Sequence, residues 1–182
     1  MLEPLRQGLP PLDPAAVSSA SSCALSARYE AVREARQFTR VTLEQWGIDE
    51  RFDDVCLVVS ELVTNALRHA VPATAMERGG NGSTGQHEGQ YGGQFAGQFG
   101  GQFGGHEPPV RLHLMRWTER LVCAVRDPSD GTPVARDADD FSAESGRGLF
   151  LVDSFCDSWG WHPLAGTLTG KVVWALFRLQ ET

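Results

Sequence analysis

Two periods of apolar and polar positions predict helices in the N-terminal half of the chain and strands in the C-terminal half. Apolar side chains recur every three or four residues over about residues 27–46 and 49–69, which is the spacing of amphipathic helices. Before them, residues 1–22 are rich in Pro, Ser and Ala, and we expect a disordered tail there. The apolar stripe of the second helix comprises Cys56, Val59, Leu62, Val63, Ala66 and Leu67.

Strand periodicity begins at Val110. Residues 110–114 alternate between apolar and polar, and residues 121–125 are mostly apolar, which predicts an antiparallel hairpin. A short apolar helix over residues 149–155 precedes a second hairpin formed by residues 158–162 and 171–179. The last strand is apolar on both faces, as is typical of a strand inside a covered sheet. The order of elements predicts an α+β fold with two or three helices layered on an antiparallel or mixed sheet.

A glycine-rich tract interrupts this pattern. Twelve of the 20 glycines lie between Gly79 and Gly105, in a repeating Gly-Gln-Phe sequence. Because glycine costs about 1 kcal/mol in a helix interior, we expect a disordered insert over residues 79–106. The regularly spaced aromatic residues leave a second interpretation open, namely weak adhesive contacts to a partner or to another copy. The remaining length suits one domain, residues 23–182, with the insert inside it.

Charge and composition exclude several classes of protein. The net charge is −7 and there is no basic cluster, so binding of nucleic acid through its phosphates is not expected. No apolar run approaches the ~20 residues of a membrane span, and no signal-peptide core is present, which predicts a cytoplasmic protein. The four cysteines lack the spacing of zinc ligands and are expected to be buried free thiols.

Four short motifs could carry chemistry. Each motif alone has an ordinary structural interpretation. In turn, these are a solvated polar pair, a turn-forming aspartate, a glycine turn and a charge at a sheet edge. In combination they resemble the GHKL (Bergerat-fold) ATP-binding domain of the histidine kinase-like ATPase superfamily, and within it the anti-sigma-factor serine/threonine kinase branch. In chain order the motifs are Glu61-Leu-Val-Thr-Asn65-Ala-Leu-Arg-His69, Asp127-Pro-Ser-Asp-Gly131, Gly146-Arg-Gly148-Leu149, and Gly166-Thr167 followed by Gly170-Lys171.

The resemblance covers about residues 27–179 and implies a two-layer α/β sandwich with a mixed sheet covered by helices on one face. It implies ATP and Mg²⁺ as ligands. Glu61 resembles the general base, Asn65 the metal ligand, and Asp127 the carboxylate that accepts a hydrogen bond from the adenine amino group. The resemblance also implies nucleotide contacts for Arg68, His69, Gly131, Gly146, Arg147, Gly148, Leu149, Thr167 and Lys171, with the glycines before the short helix cradling the phosphates.

The function that follows is that of an ATP-binding regulatory protein resembling anti-sigma-factor kinases. It would transfer the γ-phosphate of ATP to a Ser or Thr of an antagonist protein, with a sigma factor as a second partner and a homodimer as one open oligomeric state. Two departures from the family pattern, Ser129 and the short acidic loop over residues 133–145, favour an alternative. In that alternative the chain is a non-catalytic module that sequesters a sigma factor or antagonist. A histidine-kinase catalytic domain is disfavoured, because no second domain with a phosphoacceptor histidine is evident.

Overall fold

Three helices and five strands make up the part of the chain that the computed structural model describes, which comprises residues 16–26, 28, 30–70, 110–133, 148–165 and 169–180. The predicted insert over residues 79–106 and nearly all of the predicted acidic loop lie outside these residues. In chain order the elements are β1 (Ser19–Leu25), α1 (Glu30–Trp46), α2 (Phe52–Ala70), β2 (Val110–Trp117), β3 (Arg120–Asp127), α3 (Gly148–Phe155), β4 (Ser158–Pro163) and β5 (Lys171–Arg178).

Strand β1 is the element that the sequence pattern did not predict. It overlaps the predicted tail, so the expectation of a disordered tail over residues 1–22 is wrong for residues 19–22. The strand has the sequence Ser-Ala-Ser-Ser-Cys-Ala-Leu, which lacks the β-branched and aromatic residues that favour strands. It forms because its backbone pairs with β2, with Cys23 opposite Leu112 and Leu25 opposite Val110.

The five strands form one sheet in the order β1-β2-β3-β5-β4. All four pairings are antiparallel, so the sheet is antiparallel rather than mixed over the described residues. Strand β5 lies between β3 and β4, which explains why its sequence is apolar on both faces. The side chains of β2, β3 and β5 that face away from the helices form a separate apolar cluster of Met115, Trp117, Val122, Ala124, Val172, Trp174 and Leu176.

The helices pack on the other face of this sheet, and α2 is central among them. It contacts α1 on one side, α3 on another, and β2, β3 and β5 beneath it. Its buried face supplies Val55, Val58, Val59, Leu62 and Val63 to the main core. None of the three described helices has the length and apolar content that a membrane span requires. The α+β fold predicted from the sequence is confirmed, and α2 packs against α3.

Candidate functional site

The start of α3 fits closely against two polar side chains of α2. Glu61 and Asn65 lie one turn apart, so both project from the same face of the helix. A Cβ atom built on Gly148 would lie 2.8 Å from Glu61 Oε2, 3.0 Å from Asn65 Nδ2 and 3.1 Å from Asn65 Oδ1. Only glycine leaves room for both side chains, so the structure brings together three residues that the sequence motifs placed in one site.

The Asn65 amide has unused hydrogen-bonding capacity. Its Nδ2 is buried and has no hydrogen-bond partner within the described part of the chain. An unpaired buried polar group costs about 1–3 kcal/mol, so such groups are usually completed by water, an ion or a ligand. Because the amide nitrogen and oxygen can be exchanged by rotation of the side chain, an acceptor oxygen can also be offered from this position. The amide therefore suits a ligand that binds beside the start of α3.

This chemistry fits a hydrated Mg²⁺ ion. Such an ion is usually held by one or two protein oxygens together with phosphates and waters, and Asn65 supplies a neutral oxygen ligand of this kind. The described residues contain no group of three His, Cys, Asp or Glu side chains that could hold a metal on their own. A cation here would therefore depend on the amide of Asn65 and on oxygens of a bound anion. The N-terminus of α3 favours such an anion through its unpaired backbone N–H groups.

A second polar group lies where β3 ends and β5 begins. Asp127 and Lys171 are opposite each other in the sheet, and Lys171 Nζ donates a hydrogen bond of 2.9 Å to Asp127 Oδ1. Their side chains are only 3% and 7% exposed, respectively. Lys171 Nζ donates a second hydrogen bond of 3.1 Å to the backbone oxygen of Ser129. Lys171 is therefore a buried ion-pair partner, and its interpretation as a charge at a sheet edge is wrong.

Opposing effects act on the Asp127 carboxyl. Burial raises its pKa above the ordinary value, and the nearby charge of Asp130 raises it further. The hydrogen bond and positive charge of Lys171 act in the opposite direction, as does the Ser129 N–H, which donates to Asp127 Oδ1 at 2.9 Å. The Lys171 hydrogen bond is thus the largest of the effects that lower the pKa of this carboxyl against burial.

The turn after β3 is fixed to the residue that precedes β5. Gly170 N–H donates a 2.9 Å hydrogen bond to Asp130 Oδ1, and Gly131 N–H donates one of 3.1 Å to Ser129 Oγ. Gly170 has a φ of 105°, and a Cβ atom there would lie 2.1 Å from the backbone oxygen of Asp127. No other residue fits this position without moving the turn. Sequence reasoning assigned no role to Gly170, although its place directly before Lys171 in the last motif was a usable signal.

The other predicted site residues divide into those that the structure describes and those that it does not. Leu149 is 7% exposed and belongs to the main core, which indicates a packing role for its side chain. Arg68 is exposed in the last turn of α2, and His69 is described only as part of the helix backbone. Gly146, Arg147 and Thr167 lie outside the described residues.

The cysteines stand apart from both polar groups. All four are free thiols, of which Cys56 and Cys123 are buried and the other two are half-buried. Burial raises the pKa of each thiol, and it raises that of Cys156 to about 12. Thiols in this state are neutral at physiological pH and are poor nucleophiles.

One comparison with known proteins found a match, and it covers the helix that carries Glu61 and Asn65. Residues 25–78 match the family model of the histidine kinase-like ATPase domain. The matched segment includes all of α1 and α2, and therefore both Glu61 and Asn65. No curated protein matches the chain. The match shows that this segment is similar to histidine kinase-like ATPase domains, and the helix-on-sheet fold is consistent with that similarity.

Proposed function

We propose that the protein binds ATP with Mg²⁺ and transfers the γ-phosphate to a Ser or Thr hydroxyl of another protein. The observation that carries this proposal is the contact of Gly148 with Glu61 and Asn65. It combines a carboxylate, an amide with unused hydrogen-bonding capacity, and a helix N-terminus. Phosphoryl transfer requires a residue to orient the nucleophile, a metal ligand and donors to the phosphates, and these three groups can supply them.

In the proposed reaction, Glu61 receives the proton of the acceptor hydroxyl. The hydroxyl oxygen forms a bond to the γ-phosphorus, the bond from that phosphorus to the β,γ-bridging oxygen breaks, and ADP leaves with the electron pair. Glu61 is half-buried on α2, so part of its side chain is exposed while its helix packs against the core. This arrangement suits a base that must be held in one place.

Asn65 would hold Mg²⁺, which, when bound, neutralises charge on the β- and γ-phosphates. The adenine end is proposed to lie at Asp127, because an ionised carboxylate only accepts hydrogen bonds and therefore suits the exocyclic amino group of adenine. The backbone of Gly131 follows Asp127 in a turn that hydrogen bonds hold in place, so it offers a close approach for the base.

The acceptor is proposed to be an antagonist protein, with a sigma factor as a second partner. This part of the proposal rests on the resemblance of the motifs to anti-sigma-factor kinases. A pull-down with the full chain, followed by incubation of the captured proteins with γ-labelled ATP, tests it. The proposal expects label on Ser or Thr of a captured protein, and label on histidine would contradict it.

Binding of nucleotide is tested by thermal unfolding with increasing Mg-ATP. Because a ligand that binds only the folded state stabilises it, we expect the Tm to rise by a few degrees at saturating Mg-ATP. The rise should shrink for Asn65→Ala but not for Ser60→Ala, since the Ser60 hydroxyl donates to its own helix at Cys56 O rather than to the site. An unchanged Tm at millimolar Mg-ATP would contradict ATP binding and favour the non-catalytic binding module.

A further inference from the structure

Lys171 and Asp127 form a buried ion pair inside the sheet. Lys and Asp are rarely buried unless they are paired, because removing each charge from water costs several kcal/mol. Here the side chains are 7% and 3% exposed, and the Nζ–Oδ1 distance is 2.9 Å. A pair of well-packed apolar residues would often be equally stable in such a position. The free-energy cost of burying the two charges therefore indicates that the pair does more than hold β3 beside β5.

We propose that Lys171 is a positioning residue, which pairs with Asp127 and orients its carboxylate so that the site accepts bases with an exocyclic amino group and rejects bases with a carbonyl in its place. This inference rests on the proposed function, in which Asp127 contacts the adenine of ATP. It concerns Lys171 itself, which acts through Asp127 rather than by touching the nucleotide.

The geometry around the carboxylate supports this role. Within the described residues, both hydrogen bonds to the carboxylate end on Oδ1, one from Lys171 Nζ and one from the Ser129 N–H. These two bonds fix the rotation of the carboxylate and leave acceptor capacity on Oδ2. Lys171 is in turn anchored by its bond to Ser129 O and by its position in the register opposite Asp127. Each member of the pair is therefore held in one orientation.

The charge state of Asp127 decides which base fits. An ionised carboxylate can only accept a hydrogen bond, whereas a protonated carboxyl can donate one to a carbonyl. The charged groups that act on Asp127 are Lys171 and Asp130, and of these only Lys171 favours ionisation. Without Lys171, burial and Asp130 are opposed by the Ser129 N–H alone, so the pKa of the carboxyl rises further above its ordinary value and protonation becomes easier. Loss of Lys171 should therefore change base preference as well as affinity.

The test compares binding of Mg-ATP and Mg-ITP to the full chain by calorimetry across neutral and alkaline pH. ITP carries hypoxanthine, which has a carbonyl where adenine has its amino group. We expect the unaltered protein to prefer ATP by about tenfold or more, at all these pH values. Lys171→Met should lose about tenfold in ATP affinity at the low end of this pH range relative to the high end, and at the low end it should bind ITP nearly as well as ATP.

Two matched variants isolate the charge at this position. Lys171→Arg keeps a cation beside Asp127 and should keep the preference for ATP at every pH. Arg178→Met removes a charge from the exposed far end of the same strand and should change neither affinity nor preference. If Lys171→Met fails to fold, Lys171→Arg decides the question, because loss of the ATP preference in that variant would overturn the proposal.

The outcomes separate this inference from the proposed function. Absence of nucleotide binding by the unaltered protein would overturn the proposed function, and the inference with it. ATP binding by the unaltered protein, together with an unchanged ATP preference and a flat pH profile for Lys171→Met, would overturn the inference alone. A uniform loss of affinity for both nucleotides would also overturn it, since that result indicates a purely structural pair.

Discussion

Gly148 lies so close to Asn65 that a Cβ atom at the glycine would be 3.0 Å from the amide nitrogen and 3.1 Å from the amide oxygen. The contact joins the first residue of α3 to the fourth turn of α2, across 83 residues of sequence. Because both helices contribute to the core, the fold sets the gap between them, and any side chain at position 148 would have to displace Glu61 or Asn65. The site thus depends on the absence of a side chain at Gly148 as well as on the side chains of Glu61 and Asn65.

Alanine at position 148 tests this dependence. The added methyl group must displace the end of the Glu61 or Asn65 side chain, and because these ends can rotate, the cost lies at the lower end of the about 1–3 kcal/mol that overpacking causes. We therefore expect Gly148→Ala to lower the free energy of unfolding by about 1 kcal/mol or less and to abolish the rise of Tm with Mg-ATP. Urea unfolding and thermal titration measure the two effects. Ser154→Ala is the matched control, because the Ser154 hydroxyl donates to Phe150 O within the same helix. An unimpaired response to Mg-ATP in Gly148→Ala would show that the contact is irrelevant to binding.

Glutamine at position 61 separates chemistry from binding. Glu61→Gln keeps the size of the side chain but removes the base, so phosphoryl transfer should fall about hundredfold or more while ATP affinity changes little. Asp53→Asn, in the exposed first turn of the same helix, removes an equal charge and should leave the rate unchanged. The rate of ADP formation and calorimetric ATP binding provide the measurements. An equal rate in Glu61→Gln and the unaltered protein would remove Glu61 from the mechanism.

Acid should destabilise the fold through His113. Burial, with the positive charges of Arg111 and Arg126, lowers the pKa of His113 to about 4 from its ordinary 6.5. Between these values the unfolded chain binds a proton that the folded protein does not, so the free energy of unfolding falls as pH drops, by at most about 3 kcal/mol. Urea unfolding of His113→Gln over the same pH range should show a smaller slope.

A second histidine, His162, is expected to cause part of the pH dependence that remains in the His113→Gln variant. Burial also lowers the pKa of His162. The double variant His113→Gln/His162→Gln should therefore show less pH dependence than either single variant between pH 4 and pH 6.5. Identical slopes in the double variant and the unaltered protein would contradict the account of acid sensitivity.

Local sequence patterns were sufficient to predict most of the fold. The periodicity of α1 and α2 and the alternation in β2 come from residues that face one core, so a pattern read within each segment is enough. Strand β1 could not be found in this way, because Ser19–Leu25 is small and polar and is a strand only through its pairing with β2. That pairing joins Leu25 to Val110, and a short sequence window contains no trace of it.

The site likewise contains some relationships that local sequence predicts and others that depend on strand pairing. Glu61 and Asn65 share a helix face, and their spacing alone predicts that they lie together. The partnership of Lys171 with Asp127 depends on the register between β3 and β5, and the position of Gly170 depends on a turn 40 residues earlier. Neither relationship follows from residue types or local spacing. Both became visible only once the strands had been placed side by side.

The central claim is that Glu61, Asn65 and Gly148 form a site for Mg-ATP. Calorimetric titration of the full chain and of Asn65→Ala with ATP, each in the presence of Mg²⁺ and of a chelator, tests it most directly. We predict that the unaltered protein binds ATP more tightly with Mg²⁺ than without it, and that Asn65→Ala loses this difference. Equal ATP affinity of the two proteins under both conditions would contradict the claim.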